Sequence, residues 1–161
     1  MAAQDHGEFE VEVAERTRAE RAGVTFAARL AGSRGTTVTL TVTTGDHVAG
    51  RLADVTAQWI RLARDGMHLV VPTHAIVGAQ GLRREAAELS VVQQRLTLGH
   101  ALRALSRDRA RVSVMTAAAR ADGVLGAVGR DCVDVVADSG ATCTVPYAAV
   151  VWVRSAEGSG L

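Results

Sequence analysis

The chain has 161 residues, 48% hydrophobic and 22% charged, with a formal net charge of +1. That composition is globular rather than disordered, allows one ordinary domain or two very small ones, and carries no global charge for binding a polyanion. Every basic residue besides histidine is Arg, a complement suited to planar, bidentate contacts with carboxylate or phosphate and also expected from Arg-biased coding.

Glu8 to about Leu30 reads as a helix rich in Glu, Arg and Ala, with Glu12 four residues before Arg16. Its apolar stripe is thin (Val13, Thr17, Val24, Ala27), Gly23 weakens it, and its first half is expected to project as an arm. Thr36 to Thr43 alternates Val and Leu with Thr, the pattern of a half-buried strand. After the turn at Thr44-Gly45-Asp46, His47 to Ala63 continues as strand with a parity slip. Val48 and Leu52 are even, Val55 is odd, and Ile60 and Leu62 are even again, which requires a bulge or bend. Gly50 there permits close backbone approach. Asp65-Gly66 is a hairpin turn, Met67 to Val71 the next strand, Pro72 its stop, and Ile76 to Ala79 a short last strand.

The plan then starts over. Glu85 to about Ser106 is helical in pattern, and Val112, Val114 and Thr116 open a second strand set. Gly123, Leu125 and Val128 repeat the parity slip, Val133 and Val135 follow, and Asp138-Ser139-Gly140 turns the chain. Cys143 and Val145 come next, Pro146 stops the strand, and Val150 to Val153 closes the set. Val38 and Leu40 lie over Val112 and Val114 at an offset of 74, and Gly50, Leu52 and Val55 lie over Gly123, Leu125 and Val128 at 73. The offset returns to 74 from Leu69 to Pro72, so both indels fall in turns. This is an internal repeat of a helix followed by five short strands.

Cys132 and Cys143 are the only cysteines, both in one predicted hairpin. With Cys143 opposite about Val136 they are not cross-strand partners, so they read as buried small hydrophobes rather than a disulfide. No secretory apolar region opens the chain and no apolar run approaches a membrane span, so the expectation is a soluble cytoplasmic protein with no membrane partner.

A helix followed by five strongly bent antiparallel strands resembles the Sm-like fold. Gly50-Arg-Leu52-Ala-Asp-Val55 and Gly123-Val-Leu125-Gly-Ala-Val128 are similar to the family's first motif. Pro72-Thr-His74-Ala75-Ile76, with Pro146-Tyr-Ala148-Ala149-Val150 as its counterpart, looks like the second motif of the bacterial Sm-like RNA chaperone. The two-copy plan also resembles small actinobacterial proteins often labelled transcriptional regulators of the Fis type. The resemblance implies a mainly β protein with helices: two Sm-like units, each an N-terminal helix plus a five-stranded, strongly bent antiparallel barrel. The division it implies is an acidic helical arm (1–23), a first unit (24–81), a linker with the start of the second helix (82–97), a second unit (98–156) and a tail (157–161). Its structural motif residues are Gly50, Leu52, Val55, Pro72, Gly123, Leu125, Val128 and Pro146. The family's base-binding pocket uses an Asp and often an Asn where this chain has Thr56 or Gly129 and Ile60 or Val133. Neither Ile nor Val can hydrogen-bond a base edge. Of the second motif's basic residues, His74 alone is kept.

His6, His47, His68, His74 and His100 are scattered, and no nucleophile, paired-carboxylate or phosphate-loop pattern stands out. The chain is therefore read as no enzyme, with no catalytic or metal-binding residues, no cofactor and no small-molecule substrate. From Leu82 to Arg111 seven arginines face three acids, a local charge of +4, whereas residues 1 to 24 carry −3. Arg83, Arg84, Arg103, Arg107, Arg109 and Arg111, with His74, are the candidate nucleic-acid contacts. The competing reading pairs that basic stretch with the acidic arm. Aromatic residues for base stacking are few, and Trp59 and Trp152 read as barrel core or subunit interface. The short apolar last strands would leave open edges, which predicts a homo-oligomer; three such chains could supply a six-unit ring. Two classes follow: a nucleic-acid-associated (RNA or transcription) regulator and a protein-assembly scaffold without nucleic acid.

Overall fold

The computed structural model describes residues 2–156, with the side chains of Ala2 and Ala3 left aside; the expected tail at 157–161 lies outside the described residues. Those residues form a mainly β protein with four α-helices and ten strands in one antiparallel sheet.

The N-terminal helical pattern divides into two helices. Helix α1 (Ala2–Ala22) has no apolar face, and every described side chain on it is exposed except half-buried Thr17. The expected continuous helix ends there, because Gly23 loosens the chain and Thr25 starts a new helix as its N-cap, accepting from the Ala28 N–H at 3.1 Å. That helix, α2 (Phe26–Gly32), buries Leu30. Strands β1 (Thr37–Val42), β2 (His47–Val55), β3 (Trp59–Arg64), β4 (Met67–Pro72) and β5 (Ile76–Gln80) follow, with a 3-10 turn, Thr73–Ala75, before β5. The β3–β4 hairpin turns on Asp65 and Gly66, both at positive φ (51° and 73°), the geometry expected of an Asp-Gly turn.

The second expected helix is also divided. Residues 81–90 form no regular element, α3 (Val91–Arg95) starts from a Ser90–Gln93 capping box, and α4 (Leu98–Arg107) follows. Leu98, Ala101, Leu102 and Leu105 make the buried stripe of α4 at helical spacing. Strands β6 (Arg111–Met115), β7 (Arg120–Val128), β8 (Cys132–Val136), β9 (Thr142–Pro146) and β10 (Trp152–Ala156) complete the sheet. The last strand begins at Trp152, two residues later than the expected Val150, after a 3-10 turn, Tyr147–Ala149.

The strand order is β5-β1-β2-β3-β4-β10-β6-β7-β8-β9. The N-terminal half runs β5-β1-β2-β3-β4, and the C-terminal half repeats that sequence of pairings as β10-β6-β7-β8-β9. The sheet is not closed, and β5 and β9 are its outer strands. Both parity slips are register shifts at matching places, between Leu52 and Asp54 in β2 and between Leu125 and Val128 in β7. A side chain on Gly50 would put its Cβ 3.0 Å from the Ala63 carbonyl oxygen; on Gly123 it would lie 2.0 Å from that of Val136. Close backbone approach thus requires glycine at 123 and leaves a side chain at 50 only a tight fit.

Candidate assembly edge and basic surfaces

The two halves meet where β10 pairs with β4, with Val153 opposite Val70, Arg154 opposite Leu69 and Ser155 opposite His68. Each half gives a tryptophan to the other's core. Trp152 and Val151 belong to the apolar cluster of the N-terminal half, with Val42, Leu62 and Val71. Trp59 belongs to the cluster of the C-terminal half, with Leu98, Leu102 and Val133, and its indole N–H donates to the Thr97 carbonyl at 3.0 Å. Arg154 lies 5.8 Å from the Trp152 ring centroid. His74 Nε2 donates to the Val150 carbonyl at 3.1 Å, so this motif residue also bridges the halves. Ser155 is buried with its hydroxyl oxygen unpartnered.

The outer strands differ from those at this joint. Strand β4 is buried along most of its length, whereas Thr142, Cys143 and Thr144 of β9 are exposed. Beside β9 lies an apolar cavity of about 360 Å³ lined by Thr116, Ala121, Val135, Cys143 and Val145 among others. Both thiols are free, and neither is a buried small hydrophobe: Cys132 is half-buried and Cys143 exposed. The register is one residue from that expected, with Cys143 opposite Val135 and Cys132 opposite Pro146.

The basic residues occupy several places. The backbone of Arg83 is held at the end of α2, its N–H donating to Ser33 Oγ at 2.8 Å and its carbonyl accepting from Arg29 Nε at 3.2 Å, and the residue is exposed. Arg84 lines a cavity of about 440 Å³ with Arg21, Val24 and Arg29. Arg103 and Arg107 stand exposed on the outer face of α4, and Arg109 follows at φ 49°. Arg111 is bound by both oxygens of Asp138, at 2.6 and 3.0 Å. That bond holds the Asp138 carboxyl below the ordinary aspartate range and raises Arg111. A hydrogen bond from Ser113, then the charge of Arg120, lowers Asp122 in the same way.

Leu52, Val55 and Leu125 are core residues, and Val128 packs on the second cluster. Pro72 and Pro146 end β4 and β9. At the positions matching the family's base pocket, Ile60 and Val133 are fully buried. Thr56 is spent on a turn: its hydroxyl donates to the Trp59 carbonyl at 2.7 Å and accepts from the Trp59 N–H at 2.9 Å. Gly129 donates its N–H to the Cys132 carbonyl at 2.8 Å. Among the described residues, no three His, Cys, Asp or Glu side chains gather to hold a metal ion, and no helix is long and apolar enough to cross a membrane.

Sequence reasoning missed the exchange of tryptophans and the cavity beside β9. A signal for both lay in the repeat. Trp152 aligns with Gly78, and Leu69 with Cys143, so the two halves differ at positions where they meet or fail to meet a neighbour. No protein-family model matches the chain, and no curated protein matches it.

Proposed function

We propose that the chain is a cytoplasmic, non-enzymatic tandem Sm-like module that works by assembly, adding strands of other chains to its outer sheet edges. The β4–β10 joint carries this reading. One half already joins the other by strand pairing and an inserted tryptophan, and the outer strands β5 and β9 repeat the two sides of that joint. The repeated strand order and the matched bulges support two Sm-like units. The free thiols agree with a reducing compartment. A second copy is one candidate partner, with β5 of one chain on β9 of the next, which makes a homo-oligomer.

Light scattering tests the reading. Particles heavier than the 16.8 kDa chain, lost when Cys143→Arg charges β9, support it. A clean monomer at every concentration that also takes up no strand peptide overturns it.

One observation favours a second reading, a nucleic-acid-associated regulator: Arg103 and Arg107 of α4, and Arg109 just after it, are exposed. It predicts RNA or DNA binding that falls steeply with salt and weakens in an Arg107→Ala, Arg109→Ala variant. Filter binding that is absent at low salt removes it.

A further inference from the structure

The cavity beside β9 is the counterpart of the slot that Trp152 fills. In the N-terminal half, the cluster around Trp152 includes Val42, Val48, Leu62, Leu69 and Val71. Carried over by the repeat offsets of 73 and 74, these become Thr116, Ala121, Val135, Cys143 and Val145, all of which line the 360 Å³ cavity. Four of the five are smaller or more polar than their counterparts, and the fifth is Val in both halves. The C-terminal half therefore has a wider, open version of an aromatic slot, beside a strand whose outer edge is unpaired among the described residues.

A second copy of this chain fits that slot poorly. Its edge strand β5 places Gly78 where β10 has Trp152. The four β10 residues that pair with β4, Val153 to Ala156, correspond to residues 79–82. Strand β5 ends at Gln80, and Gly81 turns away at φ 85°. Two of the four pairings are thus lost together with the aromatic ring.

We infer that β9 and its cavity bind an extended segment of a different protein, paired antiparallel to β9, with a large aromatic residue seated where Trp152 sits in the internal joint. The occupant resembles β10 in chemistry: an aromatic residue flanked by β-branched residues. Backbone hydrogen bonds to the edge supply affinity, and the slot selects the side chain. The inference rests on the strand-edge reading above and names the partner for one of its two edges.

The probe is a fluorescein-labelled peptide with the sequence of residues 150–156, Val-Val-Trp-Val-Arg-Ser-Ala, titrated with the full chain and followed by anisotropy. A second peptide carries Gly in place of Trp. We expect the Trp peptide to bind at least tenfold tighter than the Gly peptide, to slow maleimide labelling of Cys143, and to lose binding in Cys143→Arg, whose exposed site leaves the fold intact by circular dichroism. Maleimide-blocked wild-type protein, which needs no substitution, should lose binding as well. Equal binding of the two peptides overturns the aromatic slot and leaves strand addition standing. Failure of both peptides, with self-association that Cys143→Arg abolishes, makes a second copy the occupant and overturns the inference alone. Failure of both with a clean monomer overturns the strand-edge reading too. Uptake of a small apolar dye at Cys143 without either peptide reassigns the cavity to a small ligand and likewise overturns the inference.

Discussion

Replacing Trp152 by Ala should measure the joint between the halves. Trp152 is 9% exposed and belongs to a core built mostly from the opposite half. An aromatic side chain of this kind buries about 150–250 Å². At about 25 cal/mol per Å² that gives about 4–6 kcal/mol, an upper bound because unfolded chains already bury some surface. Core Trp→Ala changes cost about 3–5 kcal/mol. The Arg154 contact adds about 0.5–1 kcal/mol where a cation over a ring is partly solvated. The expected loss is about 4 kcal/mol, or about 10 °C in Tm for a chain of this size. Urea unfolding followed by far-UV circular dichroism reads it without depending on the removed fluorophore. If the joint couples the halves, the variant should also lose its single transition and unfold in two steps, the half that loses Trp152 melting first. A loss below about 1 kcal/mol with one sharp transition would refute the reasoning, because the halves would then be held together by something other than this insertion.

Other outcomes follow from the same geometry. Gly123→Ala should cost more than about 3 kcal/mol, the upper end of over-packing penalties, and Gly50→Ala about 1 kcal/mol, since the added Cβ meets a carbonyl oxygen at 2.0 Å in one case and 3.0 Å in the other; thermal melts of the pair give the comparison. Ser155→Ala removes a buried hydroxyl with no partner and should leave stability unchanged or raise it by about 1 kcal/mol, and a clear loss in urea melts would point to an unrecognised partner. Deleting residues 1–22 should shift stability by less than about 0.5 kcal/mol, because the described side chains of α1 are exposed except half-buried Thr17, and the truncated chain should melt with the full one. Asp138 and Asp122 have lowered folded-state pKa values, so the stability they add is present above the unfolded aspartate pKa and is lost as pH falls through the folded values. Carboxyl titration by NMR should place both midpoints below the ordinary aspartate value, and Asp138→Asn should flatten the acid limb of the stability curve.

The strands and bulges were legible because they depend on local alternation. Val48, Leu52, Val55 and Ile60 cannot share one face without an extra residue, and the register shift at Leu52–Asp54 supplies it. The helices were legible only in part. Val92 fits an apolar stripe in the sequence but is exposed at 65%, and the Ser90 cap, not the stripe, sets the start of α3. Composition pointed to one run of arginines, yet the Arg111 guanidinium is bound to Asp138, because a partner distant in sequence decides which charges stay free. The exchange of Trp59 and Trp152 could not be read from periodicity, which gives the face a side chain occupies within its own strand and not which half's core lies behind that face.

The register of β4 against β10 has a kinetic consequence. Val70 and Val153 are about eighty residues apart, so this pairing has a high loop-closure cost and forms after the local hairpins. During synthesis the N-terminal half is complete while β4 and the Trp152 slot are still uncovered. When β10 emerges it meets two acceptors of the same design, its own β4 and any β9 edge nearby. Partitioning between them sets the yield of correctly joined chains. Val48 and Leu69 pack on the cluster that holds Trp152, and the smaller Ala121 and Cys143 stand at the matching places of the open cavity, so the two acceptors should compete for the ring. High local concentration of nascent chains should therefore shift the product toward strand-exchanged aggregates, by the same recognition that holds one finished molecule together.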